Sequence, residues 1–198
     1  MSGDAPVGHA PEYPIRTDRL LLRPIVPTDA EAMHVYKSDP DAVRYVPYPP
    51  LTLADVEQRI ATTWSNTVFT REGDAVALAV EERESGALVG DVVLFWRSET
   101  DRCGEVGYIF DPGAGGRGYA TEAVAALLAL GFDGLGLHRI VARLDERNTS
   151  SARVAERLGF RREARFVESE WFKGEWTTLL VYALLADEWR ESPTATDR

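Results

Sequence analysis

"GAGGRGYATEA", Gly113 to Ala123, places four glycines ahead of a run with helical character. Ala120, Val124, Leu127 and Leu128 fall on one face of that helix. Before it, "EVGYIF" (Glu105–Phe110) alternates as a strand and is ended by Asp111-Pro112. After it, "HRIVARL" (His138–Leu144) is again a strand. The stretch is therefore the middle of a β-α-β crossover. Glycines tolerate positive φ, so consecutive backbone N–H groups can converge. A helix start adds unpaired donors and a partial positive charge. Together these suit a pyrophosphate, and Arg117 adds a formal charge. A glycine-rich surface turn is the other reading, and the loop alone does not separate the two. A P-loop is excluded because the Gly-Lys-Ser/Thr ending is absent. A dinucleotide fingerprint is excluded because Thr121 occupies its last small position and the strand follows antiparallel hairpins.

Upstream, "DRLLLRPIV" (Asp18–Val26) reads as a strand, and Thr28 with Glu31 has capping-box spacing for a helix. The prolines of "YVPYPPL" (Tyr45–Leu51) forbid helix. Thr52 then caps a second helix with Leu53, Val56, Ile60 and Trp64 on one face. "AVALAVEER" and "ALVGDVVLFW" form a hairpin across "ESG". Downstream, "SSARVAERLGF" is a helix that stops at Gly159, and the chain closes with strands around "RREARFVESEW" and "TTLLVYALL". The order β-α-α-β-β-β-α-β-α-β-β predicts an α/β (α+β) fold with a mixed sheet of about seven strands and about four helices.

The chain has 198 residues, of which 44% are hydrophobic, which suits one domain over 15–190. Residues 1–14 read as a loose arm and 191–198 as a frayed tail. No signal peptide or membrane span is visible, so a cytoplasmic protein is expected. The single cysteine, Cys103, excludes an internal disulfide and a multi-cysteine zinc site. The three histidines lack metal-ligand spacing, and no metal is expected. A net charge of −10 argues against nucleic-acid binding and suits cationic partners such as amines.

"YIFDPGAGGRGYATEA" resembles the acetyl-coenzyme-A loop of the GNAT N-acetyltransferases, Gln/Arg-x-x-Gly-x-Gly/Ala. Gly118 and Ala120 fill its last two places, while Gly115 replaces the usual Gln or Arg. "TDRLLLRP", "GALVGDVVL", "EVGYIFDP", "NTSSARVAERLGF" and "WFKGEW" are similar, in the same order, to the RimJ/RimL-like branch, over roughly Arg16 to Trp189. The resemblance implies acetyl transfer from acetyl-CoA directly to an amine, by a monomer or homodimer. It implies a splayed pair of parallel strands around Tyr108–Phe110 and Ile140–Leu144, with an N–H near Ile109 holding the acyl oxygen. On the same basis Tyr108, Ile109, Phe110, Gly115, Gly116, Arg117, Gly118, Tyr119, Ala120, Thr121, Asn148 and Ser151 contact the coenzyme. Ser151 matches a serine beside the coenzyme sulfur, although Asn148 and Ser151 are also ordinary caps.

Two carboxylates compete to take the amine's proton. Glu170 matches a glutamate of the branch pattern Glu-aromatic-x-x-Gly, and Glu105 begins the coenzyme strand on the face of Gly107 and Ile109. Each is otherwise a solvated strand-end charge, and an amine that arrives deprotonated needs neither. Tyr45, Tyr48, Trp96 and Trp171, with Trp64, Tyr108 and Phe172, are candidates for an acceptor pocket, though such aromatics are more often core. A small amine and a protein N-terminus both remain open as acceptors. The Ala-, Arg- and Gly-rich composition suits a GC-rich bacterium. A silent acyl-CoA-binding module is the alternative of a different class.

Overall fold

The computed structural model describes residues 11–192. Strands β1 (Ile15–Arg16) and β2 (Leu20–Pro24) lead into helices α1 (Ala30–Lys37) and α2 (Leu53–Arg59). Then come β3 (Ala75–Glu82), β4 (Leu88–Ser98) and β5 (Cys103–Phe110), followed by α3 (Tyr119–Ala129) and β6 (Arg139–Asp145). The chain continues through α4 (Thr149–Arg157), β7 (Arg161–Phe172), β8 (Glu175–Leu185) and α5 (Ala186–Glu191). Among the described residues eight strands form one sheet in the order β1-β2-β3-β4-β5-β6-β8-β7. Only the β5–β6 pair is parallel.

Strand alternation divides the core between the two faces of the sheet. β3 sends Val76, Leu78 and Val80 to the larger core, where Val124 and Leu127 of α3, Val154 of α4 and Trp189 of α5 meet them. The same strand sends Ala77 and Ala79 to the smaller core, against Met33 and Tyr36 of α1 and Val56 and Ile60 of the second helix. A strand buried on both faces reads as an unbroken apolar run, as "AVALAV" does.

The first helix starts differently from the expected Thr28–Glu31 box. Asp29 accepts the Val26 N–H at 2.8 Å and the two terminal guanidinium nitrogens of Arg23 at 2.8 and 2.9 Å, so a charge pair organises the turn. At α2 the Thr52 cap forms as expected, with Asp55 N donating to Thr52 Oγ1 at 3.2 Å. Strand β1 and helix α5 were not anticipated. The last helix buries Trp189 completely, and Leu185 N donates to Glu188 Oε2 at 2.8 Å to start it. Within the expected arm, Tyr13 packs on the larger core and its hydroxyl donates to Thr67 O at 3.0 Å. Residues 1–10 and 193–198 lie outside the described residues, and so therefore does most of both expected loose ends.

The smaller core contains a charge pair. Lys37, 1% exposed, sets its Nζ 2.7 Å from Asp91 Oδ1 of β4. It also donates to Tyr48 Oη at 3.2 Å and lies 4.3 Å from the centre of the Trp64 ring. Tyr36 Oη donates to the same Asp91 oxygen at 2.8 Å. Burial lowers the lysine pKa, while the Asp91 charge opposes that shift. One ammonium thus joins α1, the 38–52 connection, the end of the second helix and β4. The Tyr48 hydroxyl, expected to face substrate, is turned inward to this joint, and burial raises its pKa.

Lys37→Met is expected to cost about 3–5 kcal/mol of stability, because it strands the Asp91 carboxylate. Adding Asp91→Leu is expected to restore most of the loss. Denaturant unfolding of both variants checks this, and a single-variant loss below about 1 kcal/mol would mean that the pair behaves as a solvated one.

Candidate active site

Strands β5 and β6 pair only where Cys103–Glu105 face Arg139–Val141. Beyond that point β5 stays with β4 through Phe110 and β6 stays with β8 through Asp145. The two strands are therefore pulled apart, and a gap opens between them. Asp111 N donates to Val89 O at 2.9 Å, in the register that sets Ile109 opposite Asp91. Alternation along an antiparallel ladder then turns the N–H and C=O of Ile109 toward β4, and those of Tyr108 and Phe110 into the gap. The N–H expected near Ile109 is by this parity that of Tyr108 or Phe110, and Ile109's own N–H is turned to β4. An open strand edge suits an extended chain that carries amides.

The glycine loop lies at the end of β5. Gly115 spends its N–H on Pro112 O at 3.0 Å, so it is not a donor of the cradle as expected. Gly116 and Gly118 have φ of +76° and +82°, a region in which only glycine is unstrained. Gly118 caps α3, and the first N–H to close a helical turn is that of Glu122, onto Gly118 O at 3.1 Å. The N–H groups of Tyr119, Ala120 and Thr121 precede that ladder and need acceptors from outside the helix. Thr121 Oγ1 is buried with no hydrogen-bond partner among the described residues. These groups fit a coenzyme pyrophosphate.

Arg19 braces the loop: its Nη1 donates to Arg117 O at 2.8 Å and its Nε to Glu122 Oε2 at 2.8 Å. The side chains of Arg117 and Tyr119, both expected on the coenzyme, are drawn elsewhere. Arg117 Nη1 lies 3.3 Å from Glu82, and the buried Tyr119 ring sits under Arg19 with its hydroxyl donating to Glu82.

Across the gap, Asn148 Oδ1 caps α4, accepting Ser151 N at 3.1 Å and Ser150 Oγ at 2.9 Å. Tyr108 Oη lies 3.5 Å from Ser151 O, so the phenol bridges from β5 to the first turn of α4. Burial pushes its pKa up to about 12, against the weaker opposing effect of the contact with Ser151. The phenol therefore stays protonated through neutral pH. The sequence signals Tyr108 on the coenzyme strand and among pocket walls, but not the contact of its hydroxyl with α4. The available signal was parity, which sends Tyr108 to the α4 side of the sheet.

Glu105 and Glu170 open on the opposite face, one on either side of β6. Glu105 is registered with Val141, and Glu170 reaches Arg143 two residues further along that strand. Each carboxylate is already engaged. Arg97 Nε lies 2.9 Å from Glu105, and Arg143 Nη2 lies 2.8 Å from Glu170. The Glu170 side chain is 41% exposed against 18% for Glu105, so Glu170 is the easier to reach.

The aromatic candidates divide. Trp96 is corrected to a core residue, since its ring packs in the larger core beside Val106, away from the carboxylates. Trp171 stacks edge-on against Trp176 at 5.3 Å, and alternation puts it on the face opposite Glu170. Tyr45 is at the rim, its hydroxyl donating to Arg147 O at 3.4 Å. A cleft of about 380 Å³ opens between the 38–52 connection and the β7–β8 turn, with Phe172 in its wall.

The sequence model of the "Acetyltransferase (GNAT) domain" matches residues 19–161, and the chain belongs to this family. It is 34% identical over 176 residues to the uncharacterized N-acetyltransferase YnaD of Bacillus subtilis (strain 168), covering 88% of this chain and 98% of YnaD. A solved GNAT-family acetyltransferase from Bacillus anthracis is 34% identical, with a TM-score of 0.78 over 88% of this chain and 99% of that one. A putative ribosomal-protein-serine acetyltransferase from Vibrio cholerae is 26% identical, with a TM-score of 0.73 over 89% and 99% of the two chains. The protein is accordingly an acetyl-CoA-dependent N-acetyltransferase. Among the described residues no helix is long and apolar enough to cross a membrane.

Gly118→Val is expected to abolish acetyl-CoA binding while unfolding stays cooperative. A left-handed non-glycine residue costs about 1–2 kcal/mol, and the branch crowds the approach to the pyrophosphate. Calorimetry that found unchanged affinity would sink the cradle.

Proposed function

We propose that the acceptor is a primary amine that attacks the thioester directly, and that it is a small molecule in preference to a protein N-terminus. The observation that carries this reading is the cleft whose wall holds Phe172, two residues along β7 from Glu170 and on the same face of the sheet. Its volume of about 380 Å³ is of small-molecule size. Its two sides are tied together where Lys173 Nζ of the β7–β8 turn donates to Val43 O of the 38–52 connection at 2.6 Å. The likeness to the Vibrio cholerae ribosomal-protein-serine acetyltransferase, with the shared motifs, supports a RimJ/RimL-like ancestry. Shared fold does not fix the acceptor.

Acetyl-CoA supplies the acetyl group as a thioester. The backbone groups of Tyr108 and Phe110 bind the pantetheine amides and polarise the acyl oxygen. The loop at Gly116 and Gly118, the start of α3 and Thr121 Oγ1 hold the pyrophosphate. Tyr108 Oη, which reaches the Ser151 carbonyl, and the Ser151 hydroxyl are the proton donors to the leaving thiolate. The phenol's pKa is closer to that of a thiol than a serine hydroxyl's is, so Tyr108 carries the larger share. On the other face Glu170, assisted by Glu105, receives the ammonium and takes its proton.

Thiol release with a confirmed amine separates these roles. Tyr108→Phe is expected to lower turnover by about a hundredfold or more with coenzyme affinity kept, and Ser151→Ala by less. If Ser151→Ala loses only stability, by about 1 kcal/mol, the serine is part of the cap alone.

Glu170→Gln is expected to lower turnover by about 10²–10⁴ and to flatten the acidic limb of the pH–rate profile, with a smaller effect from Glu105→Gln. Equal, mild losses that vanish at high pH would mean that the face only gathers an already neutral amine.

A further inference from the structure

The cleft walled by Phe172, on the same face of β7 as Glu170, contains a cation that no carboxylate within ion-pair distance neutralises among the described residues. Of its basic residues, Arg147 is held by Asp145 and Glu175 at 2.7 and 2.8 Å, and Arg44 meets Asp41. Lys173 is different. Its ammonium donates to Val43 O and lies 5.3 Å from the centre of the Phe172 ring. Among the described residues no carboxylate is within ion-pair distance of it. Desolvation lowers its pKa, as it does for a charge that is partly buried without a counter-ion.

The backbone adds an independent observation. Phe172 pairs with Glu175, so Lys173 and Gly174 form a two-residue hairpin turn, with φ of +50° and +90°. The first position of such a turn favours Asn, Asp or Gly. A lysine there is strained, and strain of this kind concentrates where a side chain is used. The remaining walls, Pro40, Val43, Pro50 and Phe172, are apolar.

We infer that the acceptor is an amine with an apolar body and a carboxylate, the carboxylate lying on Lys173 while the amine faces Glu170. The inference rests on the acetyl-transfer reading above. It divides the cleft's chemistry in two: a cation for the acid end of the acceptor, and carboxylates on the adjoining face for its amine. Lys173 is then a specificity-determining residue, remote from the bond that changes.

The test is thiol release from acetyl-CoA by the full chain with matched probes, aminohexanoate against aminohexanamide and aminomethylbenzoate against aminomethylbenzamide. In each pair the amine is distant from the group that changes, so its basicity is nearly the same. The carboxylates are expected to be favoured in kcat/KM by about tenfold or more, the worth of a charge-assisted hydrogen bond. Lys173→Asn keeps a residue suited to the turn and is expected to bring the ratio within about twofold, whereas Lys173→Arg retains the preference. Equal use of acids and amides by the unmodified enzyme would overturn the inference, as would a preference that survives Lys173→Asn. Faster reaction of peptide amides at their N-termini than of any small acid would overturn it too. Thiol release with every amine alike leaves acetyl transfer intact and removes only the carboxylate. Absence of release with all amines would remove both.

Discussion

The site depends on how briefly β5 and β6 stay together. Three residue pairs join them, and each strand then remains with its other neighbour. Two rigid half-sheets are thereby held at one seam and separated beyond it. A strand edge that faces a gap carries N–H and C=O groups that need partners. The coenzyme's amides can supply them, so the same divergence that interrupts the sheet makes the binding slot. The packing at the seam is close. A Cβ on Gly104 would lie 2.7 Å from Leu137 Cδ1, so a larger residue there would have to displace the Leu137 side chain.

Charge is managed locally around this slot. The carboxylates of the acceptor face are each held by an arginine, and Arg117 beside the glycine loop is held by Glu82. Pairing fixes these side chains and leaves the Arg117 guanidinium less available as an anion ligand. The backbone therefore carries most of the expected coenzyme binding, since its donors cannot be neutralised by a neighbour. On the acceptor side the buried Lys37–Asp91 joint anchors the 38–52 connection to β4, the strand registered with Ile109. The wall of the cleft and the coenzyme strand are thus mechanically adjacent.

Much of the fold was legible because its elements are signalled locally. The alternation of "EVGYIF", the apolar run of β3, the Thr52 cap and the glycines before α3 each name their element without tertiary help. α5 was missed because its six residues are too few to show a period. At the site, residue types were legible but parity was not. A strand's apolar pattern does not say which neighbour its N–H groups serve, and that depends on a register set by Val89 and Asp91. The same limit left open which face Trp96 and Trp171 take, and it hid the approach of the Tyr108 hydroxyl to α4. The Lys37–Asp91 joint was out of reach for another reason, since its partners are 54 positions apart and nothing in either local sequence marks a buried charge.

Asn148 shows why a cap and a ligand contact need not compete. Its Oδ1 is occupied by the start of α4, accepting from Ser151 N and Ser150 Oγ. The carboxamide also has an NH₂ group, and that nitrogen donates to no described residue. An aspartate would cap as well but could offer no donor, and a serine would be too short to do both. The amide is the side chain that can hold the helix with one atom and face the gap with the other. Capping also fixes where the first turn of α4 begins, which sets Ser151 beside Tyr108. Helix initiation and the placing of the site's hydroxyl groups are therefore a single requirement on one residue.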